Sequence, residues 1–270
     1  MKGMREADST PGCKAESILN QLKTKYLGRT LTLLDQCTST NDEARKLAID
    51  GAPHGSLIIT ATQTGGRGRF GRHWASPRGG IWMTIIFRPP IAIPAESIPL
   101  TAALAVARSI HNDLQIDSQV GWPNDVVVHG FKLAGLIAES HQHGNSLEFI
   151  LLGIGINTNF ETRELGDVNL NAITLKTLTK RTVDNSGLIC SILLELEELL
   201  SLAASDPGYV LGLLRKRTFS IGKKIRVLVG NRTIEGVLVD YKSMDTVLVE
   251  CKDESVVVPA ASAILVEYVY

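Results

Sequence analysis

The chain has 270 residues, 44% hydrophobic and 21% charged, and Lys+Arg balance Asp+Glu at 28 each. That length holds one large domain, or a large and a small one, around a proper core, and the composition excludes a disordered chain. Zero net charge argues against a dedicated nucleic-acid binder, and apolar runs such as "TAALAVA" are too short to span a bilayer.

The opening "MKGMREADSTPG" lacks the apolar stretch of a signal peptide. Cys13, Cys37, Cys190 and Cys251 are dispersed and form no C-x-x-C pair, so zinc and dithiol chemistry have no support. They read as small core residues of a cytoplasmic protein in a reducing compartment.

Residues 15–27 have helical spacing, and "RTLTLLDQC" reads as a strand. "STNDEARKLAIDG" predicts a helix opened by a capping box between Thr40 and Glu43 and stopped at Gly51. The β-branched strand "SLIITATQ" runs into the loop "TGGRGRFGRHW", and "IWMTIIF" is a second buried strand. "PPIAIP" then breaks the chain before a long apolar helix over 95–114. "QVGW", "VVV", "FKLAGLIAES" and "LEFILLGIGIN" follow as strands with no crossover helix between them. The class is therefore α+β, a mixed or antiparallel sheet with flanking helices, closed by helices over 187–203 and 209–217. From Ser220 onward the sequence alternates with period two, with turn signals at Gly230-Asn231 and Lys252-Asp253. This predicts a small β-barrel over 220–270, with a domain boundary at 219/220.

Gly66, Gly68 and Gly71 spell G-x-G-x-x-G, the dinucleotide fingerprint. That motif requires a helix directly after the glycines and an acidic residue near position 91. Here "RHWASPRGG" and another strand follow, and positions 91–93 read Ile-Ala-Ile. The phosphate-loop alternative fails too, because Arg72-His73 stands where Lys-Ser/Thr is needed. What survives is a glycine-rich loop, expected to be mobile without ligand, that presents Arg67, Arg69 and Arg72. Guanidinium forks suit carboxylate and phosphate oxygens, while a solvated basic turn is the plainer reading. Trp74, an aromatic face beside the arginines, favours a nucleotide-like ligand.

In "GWPNDVVVHGFKLAG", Pro123 pins a turn, and Asn124 and Asp125 place an amide and a carboxylate at a strand end. Lys132 sits in a short apolar strand, where alternation puts it opposite Leu133, facing solvent or a site. In "GIGINTN", Asn157 ends a glycine-bearing strand, as a turn former or a ligand contact.

Taken together, "STN" (39–41), "QTGGRGRFGRHW" (63–74), "GWPND" (121–125), "KLAG" (132–135) and "GIGIN" (153–157) resemble biotin protein ligases in order and spacing, over roughly residues 30–160. The resemblance implies a catalytic fold like that of class II aminoacyl-tRNA synthetases over 1–219 and an SH3-like barrel over 220–270. It implies activation of biotin by ATP to biotinyl-adenylate and transfer to one lysine of a biotin carboxyl carrier domain. Ser39, Thr40, Asn41 and Gln63 then match the polar ureido ring, and Arg67, Gly68 and Arg69 fold over biotin and its adenylate. Arg72, Trp74, Asn124 and Asn157 fall at the nucleotide, Asp125 near its Mg2+, and Lys132 at the biotin carboxylate and α-phosphate. Lys132, Arg69 and Asp125 are the implied catalytic set. No nucleic acid or membrane partner is implied, and a homodimer is left open.

One departure is Gly121, where the family commonly carries lysine before Trp-Pro-Asn-Asp. If that lysine acts as a charge, Gly121→Lys raises the adenylation rate. The roughly 29 residues before the first strand predict no helix-turn-helix module, hence no repressor function. Two alternatives remain: a lipoate-type acyl ligase or transferase of the same fold, and a non-catalytic biotin sensor.

Overall fold

The computed structural model describes residues 15–165 and 171–268. The signal-peptide reading and Cys13 lie outside the described residues. Seven strands form a mixed sheet: β1 (Leu31–Cys37), β2 (Leu57–Gln63), β3 (Ile81–Phe87), β4 (Ser118–Gly121), β5 (Asp125–Val128), β6 (Phe131–His143) and β7 (Ser146–Ile156). Their order is β1-β2-β3-β7-β6-β5-β4. Only β1 and β2 pair in parallel, because α2 (Thr40–Ile49) carries the chain back between them. The expected run of four strands without a crossover is an antiparallel meander from β4 to β7.

Strand alternation sorts β7 between two faces. Ile150, Leu152, Ile154 and Ile156 point into the main core under α3 (Ile98–Leu114) and α5 (Asn185–Ser205). Phe149 and Leu151 pack on the other face beneath Ala44 and Ala48 of α2. The next two residues on that face are Gly153 and Gly155, so the packed layer gives way to open space where α2 begins. A cavity forms there because the strand runs out of side chains.

Local departures from the expected elements have identifiable causes. The leading helix, α1, covers only Ala15–Gln21. Beyond it the backbone amides of Lys25, Tyr26 and Leu27 turn to the Glu197 carboxylate of α5, at 2.6, 3.0 and 3.0 Å. A carboxylate that accepts three amides outcompetes another helical turn. The first three residues of the expected 95–114 helix form a separate 3-10 turn, Ala95–Ser97. The capping box is absent: Ser39 is the N-cap, and Thr40 turns its hydroxyl to Gln63. Gly51 ends α2 with φ +90°, as expected. Cys190 is buried, but Cys37 and Cys251 are only partly so, which corrects the reading of all the thiols as core. A short helix, α4 (Leu175–Thr179), was not expected, and α6 (Pro207–Arg217) follows α5.

The C-terminal part is a five-stranded antiparallel sheet of β8 (Lys224–Val229), β9 (Arg232–Tyr241), β10 (Thr246–Glu250), β11 (Ser255–Pro259) and β12 (Ala263–Tyr268). Its order is β11-β10-β9-β8-β12, so among the described residues the expected barrel is not closed by a ladder between β11 and β12. A single 3-10 turn, Ala260–Ser262, joins those two edge strands, which leaves their backbones unpaired with each other. The apolar core is continuous from Ile18 through Ile225 and Val227 to Ala263. No helix among the described residues is long and apolar enough to cross a membrane.

Candidate active site

The cavity over the glycine face of β7 has a volume of about 560 Å³. Its floor is β6 and β7, its wall the start of α2, and its roof the loop between β2 and β3.

One end presents the uncharged polar side chains Ser39, Thr40, Asn41 and Gln63. Thr40 N and Oγ1 both donate to Gln63 Oε1, at 2.8 and 3.1 Å, and Gln63 Nε2 donates to Ser76 Oγ at 2.8 Å. The Thr84 hydroxyl, buried under this corner, lies 2.8 Å from Thr40 Oγ1 and donates to Asn41 Oδ1 at 2.6 Å. Asn41 Nδ2 donates to Glu139 Oε1 at 3.0 Å. Each amide is thus held in one orientation by partners on other elements, the condition for reading a polar ligand buried from water. Gly153 is required here, because a Cβ on it would sit 2.6 Å from Asn41 Oδ1.

The other end is cationic and aromatic. Lys132 Nζ stands 2.8 Å from Asp125 Oδ1 and 5.2 Å from the centroid of the Trp74 indole. The register shift between Val126 and Val127 leaves Leu133 as an extra residue of β6, so Lys132 joins Gly135 and Ile137 along the cavity while Leu133 is fully buried. The indole lies on bare backbone: a Cβ at Gly155 would meet Trp74 Nε1 at 2.6 Å, and one at Gly135 would meet Cζ3 at 3.0 Å. Gly135 and Gly155 are paired in register across β6 and β7. These glycines admit a side chain of the protein itself. Among the described residues, buried Trp74 Nε1 has no hydrogen-bond partner.

The arginine loop is bridged along its length. Arg67 and His73 form an antiparallel bridge, Gly68 N donates to Arg72 O at 2.8 Å, and Trp74 N donates to Gly66 O at 2.9 Å. Phe70 takes the left-handed conformation at the tip, φ 57°, and is exposed. Arg67 pairs with Asp42 of α2. Arg69 reaches across to Asn124 Oδ1 at 3.3 Å and to the carbonyls of Ala260 and Ala261 at 2.6 and 2.7 Å. Burial pulls the Arg69 guanidinium below its usual pKa, offset in part by the Asp125 charge. The side chains of the loop are anchored on three separate elements, α2, the β4–β5 turn and the turn before β12.

Of the residues singled out in the sequence, Ser39, Thr40, Asn41 and Gln63 line the polar end. Arg67, Gly68, Arg69 and Arg72 line the roof, and Trp74, Asn124 and Lys132 the cationic end. Asp125 lies behind Lys132 and touches the cavity only through it. Asn157 is buried outside the lining, and among the described residues its Oδ1 has no partner.

Gly121 has a steric reason. It is buried in the β4–β5 hairpin, and a Cβ there would lie 2.9 Å from Val127 Cγ1. The expected rate gain from Gly121→Lys is therefore replaced by a loss of stability. Overpacking of this kind costs about 1–3 kcal/mol, so a drop of several degrees in melting temperature is expected. An unchanged melting temperature would show that the hairpin absorbs the side chain.

A relative from Mycobacterium tuberculosis, a biotin–[acetyl-CoA-carboxylase] ligase, is 30% identical over 245 residues, covering 87% of this chain and 89% of its own. The chain belongs to the biotin/lipoate A/B protein ligase family. The family model itself matches residues 33–157, which run from β1 to the end of β7 and contain every motif that builds the cavity. The bifunctional ligase/repressor of Bacillus subtilis is 35% identical over 192 residues, 70% of this chain, and this chain spans 59% of that relative's length. Among solved structures, the biotin protein ligase from Aquifex aeolicus in complex with biotin and ATP superposes with a TM-score of 0.78 at 24% identity. It covers 88% of this chain and 98% of its own, a likeness of fold.

Within this family fold, sequence reasoning missed Ser76, Thr84, Asp42 and Glu139, the residues that orient the lining. Glu139 had a signal: it continues the i, i+2 series Gly135, Ile137 along the cavity face of β6. Thr84 had none, because "IWMTIIF" reads as uniformly buried and its hydroxyl finds partners only through contacts 43 and 44 residues away in sequence.

Proposed function

We propose that this chain joins biotin to ATP, giving biotinyl-5'-AMP and diphosphate, and then transfers biotin to one lysine of a biotin carboxyl carrier domain. The observation that carries this reading is the division of one cavity into two ends. Ser39, Thr40 and Gln63 offer fixed donors and acceptors without charge, which suits a neutral ureido ring. Lys132, Arg69 and Arg72 offer cations beside an indole face, which suits a carboxylate meeting a nucleotide.

In the first step a biotin carboxylate oxygen attacks the α-phosphorus and diphosphate leaves. Negative charge gathers on the α-phosphate oxygens, and the Lys132 ammonium stands where it can accept that charge without reorganising. Asp125, 2.8 Å away, sets the position of the ammonium. In the second step a neutral carrier lysine attacks the acyl carbon, an amide forms, AMP leaves and the amine proton passes to solvent.

Mg2+ is part of this proposal only as the companion of the nucleotide phosphates. Among the described residues no group of three or more His, Cys, Asp or Glu side chains could cage a metal. Asp125 can supply one carboxylate, which fits the habit of Mg2+ of binding through one or two carboxylates and substrate phosphates.

The deciding experiment incubates the protein with ATP, Mg2+, biotin and a carrier domain. A mass increase of one biotinyl group on a single lysine is expected, with biotin-dependent diphosphate release. Diphosphate release with lipoate in place of biotin would favour the lipoate-type reading. A rise in melting temperature with biotin but no diphosphate would leave a sensor.

A further inference from the structure

Two of the loop arginines meet different partners. Arg69 rests on uncharged oxygens, whereas Arg67 faces two carboxylates. Arg67 Nη1 and Nη2 donate to Asp42 Oδ2 and Oδ1 at 2.9 and 2.6 Å, the parallel two-bond arrangement of a guanidinium on a carboxylate. Its Nε lies 3.4 Å from Glu139 Oε1. Hydrogen bonding to Arg67 holds the Asp42 carboxyl below its usual pKa, and Asp42 in turn raises Arg67. One cation between two anions has no charge to spare for a third.

Asp42 belongs to the first turn of α2, the turn that carries Thr40 and Asn41. Its pair with Arg67 therefore ties the wall of the cavity to its roof, at the end lined by Thr40 and Asn41. Glu139 adds the floor: it accepts from Asn41 at 3.0 Å and Arg45 at 2.7 Å besides facing Arg67. We propose that Asp42 and Glu139 are positioning residues that make Arg67 a latch over the biotin end of the cavity, so that their ion pair sets how fast biotin enters and leaves.

The proposal rests on the biotin-ligase reading of the cavity and corrects one part of it. Arg67 serves as a strut, and the anionic centre is left to Lys132, Arg69 and Arg72. The strength of the pair suits the task. Both side chains are about a third exposed, at 31% and 36%, so water screens them and the latch can open in each turnover. Glu139 also fixes the Asn41 amide, so its removal disturbs the lining itself. Asp42 is the cleaner position to test.

The test measures biotin dissociation by rapid dilution, and KM and kcat for biotin-dependent diphosphate release, in Asp42→Asn and Asp42→Glu. Asp42→Asn is expected to raise the biotin dissociation rate and the KM for biotin by about fivefold, the scale of a part-exposed ion pair. The KM for ATP and kcat are expected to stay within about twofold, and Asp42→Glu to recover most of the loss. Arg67→Gln is expected to add nothing to Asp42→Asn, the signature of two groups acting as one. Unchanged biotin release in Asp42→Asn, in a parent protein that binds biotin, would overturn the latch and leave the ligase reading intact. A loss confined to kcat or to the KM for ATP would overturn it too, since it would make Arg67 an anion contact. A parent chain that binds no biotin would overturn both.

Discussion

Lys132→Ala is expected to lower biotin-dependent diphosphate release by ~10²–10³, the cost of removing one preorganised donor from a centre where charge develops, about 3–4 kcal/mol. The loss should fall on kcat, because the ammonium acts where negative charge gathers during attack. Two controls separate chemistry from folding. Lys132→Met keeps the aliphatic stem beside Trp74 and should be equally inactive. Lys132→Arg should recover little, since a planar fork cannot replace a compact charge held 2.8 Å from Asp125. Stability should change modestly, because the side chain is 37% exposed and Leu133 carries the core side of the strand. Some fall in melting temperature is expected from the Asp125 carboxylate left without its counter-ion. Diphosphate release at the parent rate in Lys132→Ala would remove the ammonium from the mechanism.

Gly155→Ala is the second large effect, and it acts at a distance of one side chain. Its Cβ would stand 2.6 Å from Trp74 Nε1 and 2.9 Å from Cε2, so the indole must leave the sheet. Trp74 is also the last residue of the arginine loop, hydrogen-bonded through its backbone to Gly66. Displacing it removes a stacking face worth about 1–3 kcal/mol to a base, which corresponds to roughly 5- to 150-fold in nucleotide affinity. The expected result is a rise in the KM for ATP of that order, with biotin affinity measured without nucleotide little changed. Trp74→Ala in the same background should cost no more than either substitution alone, because both remove the same face. An unaltered KM for ATP in Gly155→Ala would mean that the indole shifts freely and does not read the nucleotide.

Much of the cavity was legible in the sequence because its parts lie on short, strongly patterned segments. The β-branched runs at 57–63 and 81–87 could only be buried strands, and the loop between them had to stand at one end of the sheet. The motif residues of α2, the loop and β6 then met in one place, as order and spacing implied. What the glycines do was not legible. Gly153 and Gly155 read only as glycines within a strand, and the nearest atoms to a Cβ there belong to Asn41 and Trp74. A missing Cβ says that something comes close and says nothing of what it is.

The sequence by itself determined the strands, the helices that cover them and the order of the motifs. Those features follow from periodicity and from turn residues, which act over a few positions. Only the tertiary structure decided the conformation of the arginine loop and the division of labour within it. Arg67 finds Asp42 25 residues earlier, and Arg69 finds Ala260 191 residues later. Likewise Thr40 reads locally as one half of a capping box, yet its hydroxyl goes to Gln63, 23 residues away. A local hydrogen bond that water can replace loses to a buried one that water cannot reach. Side-chain pairing across a fold carries no period, so it emerges only once the sheet has brought the partners together.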